Sequence, residues 1–225
     1  MNDDTHIEAV TFDVGGTLIQ PWPSVGHVYA EVAARHGVKN LSPEKINHQF
    51  RAAWRAKTNF NHTREDWAAL METTFAGLTQ EQPSRTFFPE LYDRFGAPEA
   101  WYIFDDVVPA LEVLATIGMR LAVISNWDER LQPLLQQLEL SDYFETILVS
   151  CEVGFAKPSP VIFEQAAKKL GLPPESILHV GDNFTADVQG ARGAGFRAIQ
   201  IDRKSPPIAN QQIGSLAELK SLCAQ

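Results

Sequence analysis

In the run Val10-Thr11-Phe12-Asp13-Val14-Gly15-Gly16-Thr17-Leu18, apolar and β-branched residues lead into an aspartate, and two glycines follow. The first part has the composition of a buried strand, and the glycines mark a tight turn after it. Asp13 therefore stands at the carboxyl end of a strand. Open α/β sheets bind their ligands at that edge. The first strand is expected over residues 7–13.

The same grammar recurs downstream. Leu121-Ala122-Val123-Ile124 is a second strand, with Ser125-Asn126 at its tip. Thr146-Ile147-Leu148-Val149 is a third, followed by Gly154-Phe155-Ala156-Lys157-Pro158. Ile177-Leu178-His179-Val180 is a fourth, ending at Gly181-Asp182, with Asp187 five residues on. Arg197–Ile201 is a fifth. Apolar helical stripes separate them over 109–117, 129–138, 160–170 and 185–194, and a last short helix is expected over Ser215–Leu222. Short apolar strands alternating with helices ask for helices on both faces of a mainly parallel sheet. The expected fold is α/β, doubly wound and Rossmann-like, with strand order 3-2-1-4-5. That order sets the first and fourth strands side by side and brings Asp13 and Asp182 together.

Between the first and second strands the pattern is different. Pro21-Trp22-Pro23 interrupts regular structure. Helices follow from Ser24, from Ser42-Pro43 with proline at the first helical position, from Thr63-Arg64-Glu65-Asp66 with an acid three residues after the cap, and over about Ser84–Phe95. A crossover needs only about a dozen residues. Residues 20–98 are accordingly expected to form a small all-helical domain, inserted into an α/β core made of 1–19 and 99–225. Trp22, Trp54 and Trp67 lie in the insert and are expected to pack it. The histidines, His179 included, are expected to be packing or surface residues, and Asp105-Asp106 to cap the helix that follows.

The chain has 225 residues, 44% hydrophobic and 21% charged, with a formal net charge of -9 and a pI near 5.1. A basic footprint for nucleic acid is absent. No window is apolar for long enough to span a membrane. Cys151 and Cys223 form no metal-binding or disulfide pattern. The stretch Met1-Asn2-Asp3-Asp4-Thr5-His6 lacks the features of a signal peptide, so a cytoplasmic location is expected.

Asp13, Ser125-Asn126, Lys157 and Asp182 with Asp187 thus occupy four successive strand ends. Taken together they resemble, in order, the four motifs of the haloacid dehalogenase-like (HAD) hydrolase superfamily, in the form that carries a helical cap inserted after the first motif. The resemblance implies a nucleophilic Asp13 that forms an aspartyl-phosphate. It implies Mg²⁺ held by Asp13, the Gly15 carbonyl, Asp182 and Asp187. Ser125, Asn126, Lys157 and the Gly15 and Gly16 amides would receive the phosphate. Asp13, Ser125 and Lys157 form the catalytic set. The substrate expected is a small phosphorylated metabolite.

One residue departs from the phosphatase pattern. The second aspartate of the first motif, a general acid and base, is replaced by Gly15. Such a loss costs on the order of 10²–10⁴ in rate. A phosphatase weakened in this way would still act on good leaving groups such as aryl or acyl phosphates, and Gly15→Asp should raise its activity. The alternatives are a phosphonate hydrolase using a lysine of the insert (Lys39, Lys45 or Lys57) and a non-catalytic phosphate- or partner-binding protein. A two-haloacid dehalogenase ranks last, because Asp182 and Asp187 would crowd Asp13 with negative charge if no cation bound.

Overall fold

A computed structural model describes residues 6–58, 60–80, 82–204 and 212–223. The acidic stretch 1–5 lies outside them. The chain divides into two compact units, Met1–Ile19 with Ile103–Gln225, and Gln20–Tyr102.

The strands, in chain order, are β1 (Ala9–Phe12), β2 (Ile19–Pro21), β3 (Trp101–Ile103), β4 (Arg120–Ser125), β5 (Thr146–Val149), β6 (Ile177–Gly181), β7 (Arg197–Ile201) and β8 (Gln212–Ile213). Six of them form one sheet in the order β5-β4-β1-β6-β7-β8. Every paired neighbour is parallel. This is the expected doubly wound order, extended at one edge by β8. Two residues are too few to carry a period-2 signal, so β8 is not readable from sequence. The same holds for β2 and β3, which pair where the chain enters and leaves the helical unit. Pro21, expected to interrupt regular structure, instead closes β2.

β1 is central, and all four of its residues are buried. Its register pairs Phe12 with Val123 of β4 and with Val180 of β6. The carboxyl ends of the three strands are therefore level. On one face of the sheet, Ala9, Ala122, Ile124 and Leu148 pack with Ile162, Phe163, Ala166 and Leu170 of helix Pro160–Leu170. Small side chains on the strands let the helix approach closely, and burial of this kind supplies most of the driving force. The first helix after the insert starts at Val107, two residues earlier than expected. Asp106 precedes it but makes no side-chain cap. Its carboxylate instead accepts from Arg203 Nη1 (2.9 Å), Ser215 Oγ (2.7 Å) and Leu216 N (2.8 Å).

The helical unit follows local rules closely. Ser24, Ser42 and Thr63 all accept a backbone N–H at their helix starts, and Thr63 and Asp66 complete a reciprocal capping box. Gly26 is needed for close helix approach, since a β-carbon there would lie 2.1 Å from the Pro43 carbonyl oxygen. Tyr29 stacks on Phe75 at 5.7 Å, and Trp54 on Trp67 at 5.7 Å. Trp22 does not join this packing. It is 51% exposed and lies against Tyr102. The expected fourth helix is broken at Phe87 into Pro83–Thr86 and Phe88–Arg94. Pro89 has no N–H to give to the turn before it, so the helix restarts.

Candidate active site

The site forms at the carboxyl edge of the sheet, within the α/β unit. Asp13 follows β1 directly, and its N–H still donates to Val180 at 2.9 Å. The chain then turns: the N–H groups of Thr17, Leu18 and Ile19 all point at the Val14 carbonyl, at 3.2, 2.8 and 3.1 Å. Gly16 makes the turn possible with φ +83°, a conformation that side chains disfavour. A β-carbon there would also lie 2.5 Å from Asp182 Oδ2. Gly16 thus lets the first and fourth motifs meet. Its own N–H donates to the Ile19 carbonyl at 2.8 Å, which occupies the donor that the sequence reading had assigned to phosphate.

Lys157 is the centre of the arrangement. Its Nζ donates to Asp13 Oδ1 at 2.8 Å and to the Ile124 carbonyl at 2.7 Å, and lies 2.6 Å from Asp187 Oδ1. Ser125 Oγ donates to the same Asp13 oxygen at 3.0 Å. Asn126 holds Lys157 by its backbone: its Oδ1 accepts from Lys157 N at 2.7 Å, and its Nδ2 donates to Lys157 O at 2.9 Å. The geometry therefore gives Asn126 a positioning contact, where the sequence reading had it meeting phosphate. Oxygens of Asp13, Asp182 and Asp187 lie within 4.8 Å of one another, a cluster compatible with the divalent-metal site typical of HAD enzymes.

Asp187 reaches the site because Gly181 has no side chain. A β-carbon there would fall 2.2 Å from Asp187 Cγ. Asp187 lies on a wide π-type turn, Phe184–Gln189, capped by Asn183. Such turns are rare and cluster at functional sites. Its other oxygen accepts from Asn183 N at 2.9 Å.

His179, expected to be a packing residue, does pack edge-on against Phe163 at 5.3 Å, and it makes polar contacts as well. The ring sits between Thr11 Oγ1 (2.9 Å) and Asp187 Oδ1 (3.3 Å), fully buried. A sequence signal existed. Thr11 and His179 are polar residues in otherwise apolar strands, and they are register partners. A buried polar group needs a partner, so the pair pointed at each other. The candidate lysines Lys39, Lys45 and Lys57 lie in the helical unit. Among them, Lys57 Nζ lies 3.5 Å above the Trp54 ring.

The electrostatics are those of three carboxylates sharing one ammonium. Burial pushes the Asp13 carboxyl up, Asp187 pushes it further, and Lys157 opposes both. Burial alone would raise Asp187, but Lys157 and a hydrogen bond from His179 outweigh it and hold that carboxyl well below the usual range. Lys157 is held above its ordinary value, because Asp13 and Asp187 overcome the effect of burial. Burial pushes His179 down. At Asp182 the pull of Lys157 is outweighed. Partial loss of water and the like charges of Asp13 and Asp187 push it up to about 7, although its side chain is open to solvent. A site with this excess of negative charge is fitted to a cation.

Comparison with known proteins agrees with this construction. A model of the haloacid dehalogenase-like hydrolase family matches residues 7–195. Haloacid dehalogenase-like hydrolase domain-containing protein 3 of Homo sapiens is 34% identical over 207 residues, covering 87% of this chain and 82% of that protein. Phosphoglycolate phosphatase of Chromobacterium violaceum is 30% identical over 227 residues, covering 96% of each. Among solved structures, L-2-haloacid dehalogenase of Xanthobacter autotrophicus shares the fold at a TM-score of 0.76 and 20% identity, covering 97% of this chain and 98% of that one. With its parallel sheet, its helical insert after the first motif and its acidic cluster at the strand ends, the chain belongs to the haloacid dehalogenase-like hydrolases.

Proposed function

We propose that the protein is a Mg²⁺-dependent phosphatase of small phosphorylated molecules, working through an aspartyl-phosphate on Asp13. The observation that carries this reading is the setting of Asp13 Oδ1. It takes hydrogen bonds from Lys157 and Ser125, and two further carboxylates stand within reach of a shared cation. Lys157 opposes the upward push that burial gives the Asp13 carboxyl and offers positive charge to an incoming phosphate. Ser125 orients the Asp13 carboxylate through its one O–H, which would have to turn from Asp13 to reach a transferring oxygen. Asn126 acts through Lys157, fixing the loop that carries it.

Asp13, Asp182, Asp187 and the Gly15 carbonyl would hold the Mg²⁺. When bound, the ion offsets phosphate charge that would otherwise repel the nucleophile. In the first step an oxygen of Asp13 forms a bond to phosphorus, and the ester oxygen leaves with its electron pair. Water then attacks phosphorus, the bond to Asp13 breaks, and phosphate is released. A phosphatase relative that is 30% identical over 96% of the chain supports this choice of chemistry. The likeness to a dehalogenase is one of fold. Dehalogenation needs no cation, and this site carries two carboxylates beside the nucleophile.

The experiment is phosphate release from a panel of phosphomonoesters, aryl phosphates and acetyl phosphate, with phosphonoacetaldehyde and a two-haloacid as controls. Asp13→Asn should lower turnover by about 10⁴-fold or more while keeping the fold. Wild type should be inhibited by beryllium fluoride and lose activity in EDTA. Binding of Mg²⁺ and phosphate with no Asp13-dependent release from any substrate would replace this reading with that of a binding protein.

A further inference from the structure

The backbone does not demand glycine at position 15. Among the described residues the left-handed glycines include Gly16 but not Gly15. What occupies the space is a side chain from another strand end. A β-carbon on Gly15 would lie 3.3 Å from Cζ3 of Trp127, closer than ordinary packing allows. The indole edge therefore borders the space a side chain at position 15 would take, and would have to give by a few tenths of an ångström to admit a β-carbon.

The Trp127 backbone is anchored beside the site. Its N–H donates to Ser150 Oγ at 3.1 Å, and its carbonyl accepts from Ser150 Oγ at 3.1 Å and from Cys151 N at 3.3 Å. The residue before it, Asn126, is clamped to Lys157. The loop that positions Ser125 and is clamped to Lys157 thus also carries Trp127. The neighbouring strand ends carry aromatic residues as well. Phe155, two before Lys157, is 51% exposed, and Phe184, two after Asp182, is 50% exposed.

The ionisable groups that touch Asp13 are poorly suited to move a proton to a departing oxygen. Lys157 is a cation bound between two carboxylates. Ser125 is a neutral donor, already directed at Asp13. An alkoxide leaves slowly without a proton, whereas a phenolate leaves readily as a stabilised anion.

We propose that Trp127 is a specificity-determining residue: its indole replaces the proton donor of position 15 with an apolar wall and restricts the site to aryl phosphates. This rests on the phosphatase reading above. The phenolate departs with its electron pair as the Asp13–phosphorus bond forms, then takes its proton from water. The flat body of the leaving group lies against the indole, an arrangement favourable for two aromatic surfaces.

The test is kcat/KM with Mg²⁺ for ring-substituted phenyl phosphates of graded leaving-group pKa, for an alkyl phosphate and for acetyl phosphate. Wild type should favour phenyl over alkyl phosphate by about 10³-fold, with a steep dependence on leaving-group pKa. Trp127→Leu should lower kcat/KM for phenyl phosphates about tenfold, mainly through KM, and so narrow the phenyl-to-alkyl ratio. Trp127→Phe should restore most of that loss and serves if the leucine variant does not fold. Gly15→Asp with Trp127→Ala should raise alkyl turnover about tenfold above Gly15→Asp alone, because removing the indole gives the new carboxylate room to turn toward the leaving oxygen.

A flat leaving-group dependence in wild type would overturn the proposal, as would an unchanged phenyl-to-alkyl ratio in both Trp127 variants. Acetyl phosphate preferred over every phenyl phosphate would also overturn it, since the acyl group has no aromatic body. Each of those results keeps Asp13-dependent release and so leaves the phosphatase reading standing. No Asp13-dependent release from any phosphate would remove both.

Discussion

The helical unit and the α/β unit bury very different side chains. In 20–102 the buried positions are filled by Val28, Tyr29, Ile46, Met71, Phe75, Phe87 and their apolar neighbours. Polar contacts there are helix caps such as Ser24, Ser42 and Thr63, and exposed pairs such as Arg35 with Glu90. In the α/β unit, Asp13, Lys157, His179 and Asp187 are buried together at the carboxyl edge of the sheet. Each depends on partners far along the chain. Removing water from ionised groups is costly unless they are paired. The helical unit is built for packing. The α/β unit accepts an electrostatic burden at one edge, and that edge is where an anionic substrate and a cation would be received.

The comparison breaks most visibly at Lys157. Lys157→Met should cost about 3–5 kcal/mol in urea unfolding, because Asp13 and Asp187 lose their shared cation and face each other buried. Addition of Mg²⁺ should recover part of the loss, which a merely apolar packing defect would not do. An unchanged midpoint would show that the site carries no such burden.

Two adjacent glycines sharpen it. Gly16→Ala combines a left-handed φ with a clash on Asp182, so it should destabilise by about 1–3 kcal/mol. It should also weaken Mg²⁺ binding about tenfold or more, measured by calorimetry. Gly15→Ala needs only a small yield from Trp127 and should change stability by less than about 1 kcal/mol. Equal effects at the two positions would contradict the division of roles drawn here.

The smallest effect is expected in the helical unit. Thr63→Ala removes a capping box and should cost about 1 kcal/mol. Mg²⁺ affinity should be untouched. A change in metal binding would mean that the two units are energetically linked.

Much of this was legible from local chemistry. The strand ends at Asp13, Ser125 and Asp182 are marked by apolar runs that stop at polar or glycine residues. Thr63 with Asp66, and Ser42 with Pro43, announce helix starts within four residues. Errors arose where the signal was short or the partner distant. β2, β3 and β8 hold too few residues to show a period. Pro89 splits a stripe that otherwise reads as one helix. Asp106 looks like a cap and is instead a junction for Arg203, Ser215 and Leu216.

By itself the sequence determined the alternation of strands and helices, the place of the insert, and the roster of polar residues at the strand ends. Those follow from hydrophobic period and backbone chemistry over a few residues, which every stretch carries in its own composition. Only the tertiary structure decided what these residues do to one another. Lys157 bridges Asp13 and Asp187, Asn126 grips the Lys157 backbone, His179 joins Thr11 to Asp187, and Trp127 fills the space beside Gly15. Most of these contacts are set by parallel crossovers that align strand ends from distant parts of the chain. Their energies depend on separations of a few ångströms and on the exclusion of water, and neither quantity is written in any single segment.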